Sequence, residues 1–253
     1  MKITYKDLEK LKEYVNSNIS FLPRQTYQSI VDDFEIKFTH ESTKIEGNTL
    51  SISEVKTLLV DNISVGGKDL REIYEVINNQ KANKYIEGEI KKGASLTEDL
   101  IKDIHQIVTE NIIQGGLYRN HNVRITGASF RPPDWVEVRD NMKWLVDDFN
   151  HKKSKENPIE QAAFLHAEFV RIHPFPDGNG RSARLLLNFI LETNGYKGII
   201  INYTDRPRYY ESLDKYATNK GLDDFYNLIL EKEYEVLEDY KNEIDKAKAY
   251  GDN

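Results

Sequence analysis

The sequence predicts an all-α protein carrying one small β-hairpin. Three observations predict it. Apolar residues recur at three- and four-residue spacing along nearly the whole chain, and helix-start and helix-stop residues punctuate those stretches. One segment alone, 117–133, alternates apolar and polar between a Gly-Gly pair and a Pro-Pro pair.

Residues 4–19 read as an amphipathic helix with Leu8, Leu11, Val15 and Ile19 on one side, interrupted by Pro23. Gln25 to His40 repeats the pattern with Tyr27, Ile30, Val31, Phe34 and Phe38 and runs into residues 41–48, where Gly47-Asn48 reads as the helix stop. Ser51 and Glu54 form a capping box for a helix from about Ile52 to Val60. After Gly66-Gly67, Lys68 to Glu87 reads as a long helix. Gly66-Gly67-Lys68 lacks P-loop spacing and a preceding strand. Lys91-Lys92-Gly93 marks a boundary between an N-terminal helical region, 1–93, and a core, 94–230. Within the core, Ser95 to Glu98 starts a helix through Ile104 and Val108, which Gly115-Gly116 ends. Val123-Arg124-Ile125-Thr126 then lies in the hairpin, closed by Arg131-Pro132-Pro133. Helices follow over Trp135–Asn150, Pro158–Ile172, Ser182–Thr193 and Arg208–Ala217, and from Gly221 onward. Residues 231–253, rich in Glu, Lys, Asp and Tyr, read as a charged tail or a solvated helix that frays.

Composition narrows the function classes. At 253 residues and 39% hydrophobic the chain can bury a core, and its net charge of −7 gives no electrostatic reason to expect a nucleic-acid partner. With no cysteine there is no disulfide or cysteine zinc site, and cytoplasm is the expected compartment. No signal-like run opens the sequence, and no window approaches the ~18 apolar residues of a membrane helix.

The chemistry concentrates in His173-Pro174-Phe175-Pro176-Asp177-Gly178-Asn179-Gly180-Arg181-Ser182-Ala183-Arg184. Pro174 disfavours helical geometry at His173, so one helix ends there and another opens after the glycines. Gly178 and Gly180 let successive N–H groups point at one anion, and the positive end of the next helix faces the same way. Arg181 and Arg184, three apart, share a helix face and suit a polyphosphate. Asp177 could hold a nucleotide's magnesium ion, and His173 could take a proton from a hydroxyl. His166 and His173 lack metal-pair spacing, and His166 reads as a packed residue. From the residues alone this is a phosphate site with a base beside it.

The string resembles the Fic family signature, His-Pro-Phe-x-(Asp/Glu)-Gly-Asn-Gly-Arg-x-x-Arg, at every defined position. That resemblance spans about Leu96 to Leu230. It implies a Fic-fold helical bundle with a hairpin flap, and transfer of AMP from ATP to a Ser, Thr or Tyr hydroxyl of a protein. It makes His173 the general base and Asp177 the Mg2+ ligand. It assigns Gly178, Asn179 and Gly180 to an anion hole, with Asn179 on the α-phosphate. Arg181 goes to the β-phosphate and Arg184 to the γ-phosphate. Tyr209, Tyr210 and Asn219 resemble the adenine pocket, with Asn219 at an unusual spacing. Val123, Arg124, Ile125 and Thr126 resemble the flap on which a target adds as a strand. Ser42-x-x-x-Glu46-Gly47 resembles an inhibitory helix, about 36–47, whose Glu46 would pair with Arg184. The resemblance leaves open self-modification, a homo-oligomer, AMP removal, and a Doc-like kinase on the same fold. Retention of the small glycines and Arg181 favours AMP transfer. Nothing in the chain resembles a DNA-recognition helix.

Overall fold

The computed structural model describes residues 3–152 and 157–251. Helices α1 (Tyr5–Asn18), α2 (Arg24–Ile45), α3 (Ile52–Leu59) and α4 (Leu70–Lys91) form the first part of the chain. They are followed by α5 (Glu98–Val108), α6 (Val138–Lys152), α7 (Pro158–Ile172), α8 (Asn179–Thr193), α9 (Arg206–Ala217) and α10 (Asp223–Gly251). Among the described residues there is no strand, and no helix is long and apolar enough to cross a membrane.

Local chemistry sets the boundaries. Ser51 and Glu54 cap α3 reciprocally, as their spacing predicts, and Thr4 with Asp7 does the same for α1. Thr97 caps α5, and Asn157 with Pro158 at the first helical position starts α7. One boundary keeps to the sequence reading and one departs from it, and both matter for the site. Helix α2 runs on through Ile45 and carries Ser42 on its last turns, with Gly47 at φ +106° turning the chain away. Helix α8 begins at Asn179, not Ser182, because Gly178 at φ +76° takes the left-handed cap position. The free N–H groups of its first turn therefore belong to the signature itself.

Helices α7 and α8 pack side by side at the centre, with α4, α5 and α2 on one flank and α6, α9 and α10 around the rest. One hydrophobic core runs from Leu8 in α1 through Phe169 and Leu186 to Ile244 in α10. It crosses the turn at Lys92-Gly93 without a break, so α1, α2 and α4 share the core of the later helices. A small satellite cluster of Leu50, Val55, Leu58 and Val76 seats α3 on α4.

Two expectations are corrected. The hairpin is absent: residues 117–134 are irregular and turned, without a ladder between the arms. Pro132 and Pro133 leave the second arm without two consecutive donors. Side chains hold the segment together in place of a ladder. Arg119 donates to the Pro133 and His121 carbonyls, and Asn122 bonds Asp134 and the Trp135 N–H. The C-terminal segment is not a solvated helix. Helix α10 lies along α1 with Leu237 and Ile244 fully buried, and its exposed face supplies the charge seen in the sequence. Residues 252–253 lie outside the described residues.

Leu237→Ala and Ile244→Ala should each lower the unfolding free energy by about 2–4 kcal/mol in urea denaturation. A loss below about 0.5 kcal/mol would mean that the helix is solvent-facing after all.

Candidate active site

The site forms where α7 hands over to α8. His173 closes α7 in the left-handed conformation, at φ 51° and ψ 60°. That geometry is costly for a residue with a Cβ and persists only where its surroundings fix it. Here Arg119, itself 3% exposed, donates Nε–H to the His173 carbonyl at 2.9 Å, and the Arg119 N–H donates to the Pro174 carbonyl at 2.9 Å. The His173 ring is partly buried. Burial, reinforced by the Arg119 guanidinium and opposed by Glu46 and Asp177, lowers its pKa to about 4. The imidazole is therefore neutral at pH 7 and able to accept a proton.

The loop after His173 is held from below. His105 on α5 stacks on Phe175 with ring centroids 3.6 Å apart. Its Nδ1 accepts the Gly116 N–H at 3.0 Å, which leaves Nε2–H to donate to the Asp177 carbonyl at 2.8 Å. Burial lowers its pKa to about 4 and keeps that tautomer neutral. The Asn179 side chain spans the Phe175 backbone, donating to its carbonyl at 2.8 Å and accepting its N–H at 3.0 Å. Its amide is thus committed to the loop, and what Asn179 presents outward at the start of α8 is backbone.

The two arginines stand in opposite conditions. Arg184 is buried and satisfied: Nε donates to Ser42 Oγ at 3.0 Å, and Nη2 donates to the Ser42 carbonyl at 2.7 Å and Glu46 Oε1 at 2.8 Å. Nη1 reaches the Tyr209 hydroxyl at 3.4 Å. Burial works against the charge, but Glu46 outweighs it and raises the Arg184 pKa. Arg181 is just as buried, yet its Nε and Nη1 have no hydrogen-bond partner. Such buried donors are expensive unless an anion meets them. Glu46 lies directly over Gly180, where an added Cβ would collide with its carboxylate oxygen. The glycine is what lets an acid, or a phosphate, approach the start of α8 so closely.

Asp177 accepts the Gly178 N–H at 2.6 Å and contacts Arg181 at 3.5 Å on Oδ1, while Oδ2 meets Arg71 of α4. Burial alone would raise the carboxyl, but Arg181, the Gly178 N–H and Arg71 outweigh it and hold it below the usual carboxylate range. Among the described residues, no three His, Cys, Asp or Glu side chains converge on a metal position. One half-exposed carboxylate suits a Mg2+ that arrives with phosphate and water oxygens, not a resident ion in a protein cage.

The structure thus brings together His173, Asp177, Gly178, Asn179, Gly180, Arg181, Arg184, Ser42 and Glu46. Tyr209 joins them as a buried support, its hydroxyl shared between Arg184 and His166 Nε2 at 2.8 Å. Tyr210 sits at the rim, its ring 4.9 Å from the Arg206 guanidinium. Asn219 stands apart: it is exposed at φ 61° just past the end of α9, a helix-terminating position that Asn tolerates. Val123, Arg124, Ile125 and Thr126 lie in the irregular flap, whose tip is tied to α9 by Ser129 N–H to Asp214 at 2.7 Å. Sequence reasoning missed His105, Arg119, Arg71 and Glu75. A histidine following Ile104 on a strongly amphipathic helix was a readable signal, whereas the three charged residues carried none.

A model of the Fic/DOC family matches residues 95–191. A protein adenylyltransferase Fic from Nematostella vectensis is 37% identical over 188 residues, 72% of this chain and 43% of that protein. The chain spans less than half the length of the curated relatives it matches. Among solved structures, a Fic domain containing signaling protein from Bacteroides thetaiotaomicron VPI-5482 superposes with a TM-score of 0.82 at 28% identity, covering 96% of both chains. Fic-1 from Caenorhabditis elegans gives a TM-score of 0.82 at 28% identity, over 94% of this chain and 70% of that one. The helix–loop–helix built around His173 lies inside the matched segment, and residues 95–191 are a domain of the Fic/DOC family.

Proposed function

We propose that this protein is a self-inhibited adenylyltransferase that moves AMP from ATP to a hydroxyl side chain of a protein. The observation that carries the reading is the Glu46–Arg184 pair lying over Gly180, beside a buried Arg181 with unmet donors. This is a polyphosphate site with an acid in place of the last phosphate. Relatives named protein adenylyltransferase Fic support the reaction class.

The chain's residues divide the work. The first N–H groups of α8 and the Arg181 guanidinium bind the α- and β-phosphates and stabilise charge as it shifts toward the leaving group. Arg184 receives the γ-phosphate once Glu46 withdraws. Tyr210 at the rim offers an aromatic face to the adenine. His173 takes the proton from the target hydroxyl. The hydroxyl oxygen forms a bond to the α-phosphorus, and the bond to the β-phosphate oxygen breaks to release pyrophosphate. A Mg2+ held by Asp177 would neutralise phosphate charge. Among the described residues, 123–126 make no backbone bond to the opposite arm, although Ile125 closes a turn with the Ala128 N–H, so a target strand pairing at 123–125 would present its hydroxyl to His173.

Inhibition follows from charge and space. While Glu46 holds Arg184, the γ-phosphate loses its partner and meets a carboxylate, so ATP binds with its α-phosphate out of line. A bias of about 2.7 kcal/mol toward this state leaves about 1% of molecules competent.

Glu46→Gly should therefore raise incorporation of label from α-labelled ATP into protein by about ten- to a hundredfold, and His173→Ala in that background should remove it. Label on the γ-phosphate should not be incorporated. Transfer of the γ label would make the enzyme a kinase, and an unchanged rate in Glu46→Gly would remove the inhibitory role.

The buried base also sets a pH signature. In NMR titration the His173 ring should protonate near pH 4, well below its ordinary 6.5. Between those values the unfolded chain binds the proton that the folded ring refuses. The ring's contribution to stability is thus present above about pH 6.5 and lost as pH falls toward about 4. A midpoint at or above 6.5 would place the imidazole in solvent.

A further inference from the structure

Asp177 is held by more than its own loop. Arg71 sits on the first turn of α4, and its guanidinium bonds Asp177 Oδ2. Its Nε also donates to Glu75 Oε1 at 3.2 Å, one turn along the same helix. That same Glu75 oxygen lies 3.7 Å from Arg181 Nη1, and Arg181 Nη2 lies 3.5 Å from Asp177 Oδ1. Arg71, Asp177, Arg181 and Glu75 thus form a closed ring of alternating charge, two members from α4 and two from the signature loop. The second Glu75 oxygen accepts from Asn48 Nδ2 at 3.1 Å, two residues beyond Glu46. One turn of α4 therefore anchors both the metal carboxylate and the end of the inhibitory helix.

We propose that Arg71 is a second lock on the site, holding the Asp177 carboxylate against the cation that accompanies the nucleotide; this rests on the adenylyltransferase reading above. A cation bound to Asp177 Oδ2 would have to share that oxygen with a guanidinium of like charge, and the Coulomb cost rises steeply at such separations. Cation binding and the Arg71–Asp177 pair therefore exclude one another. Arg71 can leave: it is 55% exposed, while Glu75 and Arg181 are buried and stay behind as a preformed pair. The two locks act on different parts of the nucleotide complex. Glu46 denies Arg184 to the γ-phosphate, and Arg71 denies Asp177 to the metal. Arg71 is a positioning residue for Asp177 and makes no contact with the reacting atoms.

The test is equilibrium binding of a fluorescent ATP analogue to the full chain by anisotropy, titrated with Mg2+, in the Glu46→Gly background so that the first lock is absent. An ion pair this exposed is worth about 1 kcal/mol, so Arg71→Ala should lower the Mg2+ concentration for half-maximal binding by about fivefold. Binding in EDTA should stay unchanged, and Arg71→Lys should fall between the two. An unchanged or raised Mg2+ midpoint overturns the lock. Weaker binding both with and without Mg2+ also overturns it, by making Arg71 a phosphate ligand. If the Glu46→Gly parent binds no nucleotide at any Mg2+ concentration, the adenylyltransferase reading itself fails and the lock falls with it. A parent that binds while Arg71→Ala leaves the midpoint in place sinks the lock alone.

Discussion

The arrangement depends on one buried cation that has to be neutralised. Arg184 is 2% exposed on the central helix α8, and a guanidinium cannot shed its charge to fit an apolar interior. Its five donors need acceptors in every state of the protein. In this state Ser42, Glu46 and Tyr209 supply them. Tyr209 is in turn fixed by His166, whose own pKa burial lowers to about 3, so that its ring stays neutral beside the arginine. Loss of Glu46 would leave the pocket short of one anion, and the triphosphate of a nucleotide is the chemically matched replacement.

Arg181 shows the complementary condition. It lies one turn away, equally buried, yet two of its nitrogens are without hydrogen bonds and its nearest acids are at 3.5 and 3.7 Å. A satisfied arginine and an unsatisfied one thus stand one turn apart at the start of α8, beside the signature loop. Its rigidity comes from residues outside the signature. His105 props the loop through Phe175 and the Asp177 carbonyl, and Arg119 clamps His173 in a backbone conformation that it would not hold unaided. A neutral imidazole at pH 7 and a fixed loop are thus both products of burial, the first by desolvation and the second by packing.

Much of this was legible in the sequence because the governing interactions are local. Capping boxes, Pro174 after His173 and the glycines of the signature act within four residues, and the helices fall close to where those signals stand. The signature and the Ser42–Glu46 spacing named Arg184 and Glu46 as partners, which the structure pairs across 138 positions. What was not legible is nonlocal. Arg119, Arg71 and Glu75 look like ordinary surface charges until α4 and the flap are folded against the loop. The hairpin was misread because alternation reports which side chains face inward, whereas a ladder also needs donors that Pro132 and Pro133 lack. The last helix was misread because its charged residues outnumber the apolar ones, although Leu237 and Ile244 at seven-residue spacing suffice to seat it on α1.

The position of Glu46 shows how the inhibitory contact proposed above would be firm yet displaceable. It stands at the very end of α2, where the helix dipole is negative and a carboxylate is disfavoured by about 0.3–1 kcal/mol. Helix α2 itself is built into the core through Phe38 and Ile45, and Arg206 donates to the Ile45 carbonyl at 3.0 Å, so the helix cannot swing away as a body. Release therefore has to be local, by rotation of the Glu46 side chain or loosening of the last turn before Gly47. The carboxylate stays because Arg184 holds it, and its own helix pushes it off. Under the proposed function, a nucleotide phosphate carrying more negative charge than one carboxylate would gain the same arginine without that penalty and compete with Glu46 for a single guanidinium.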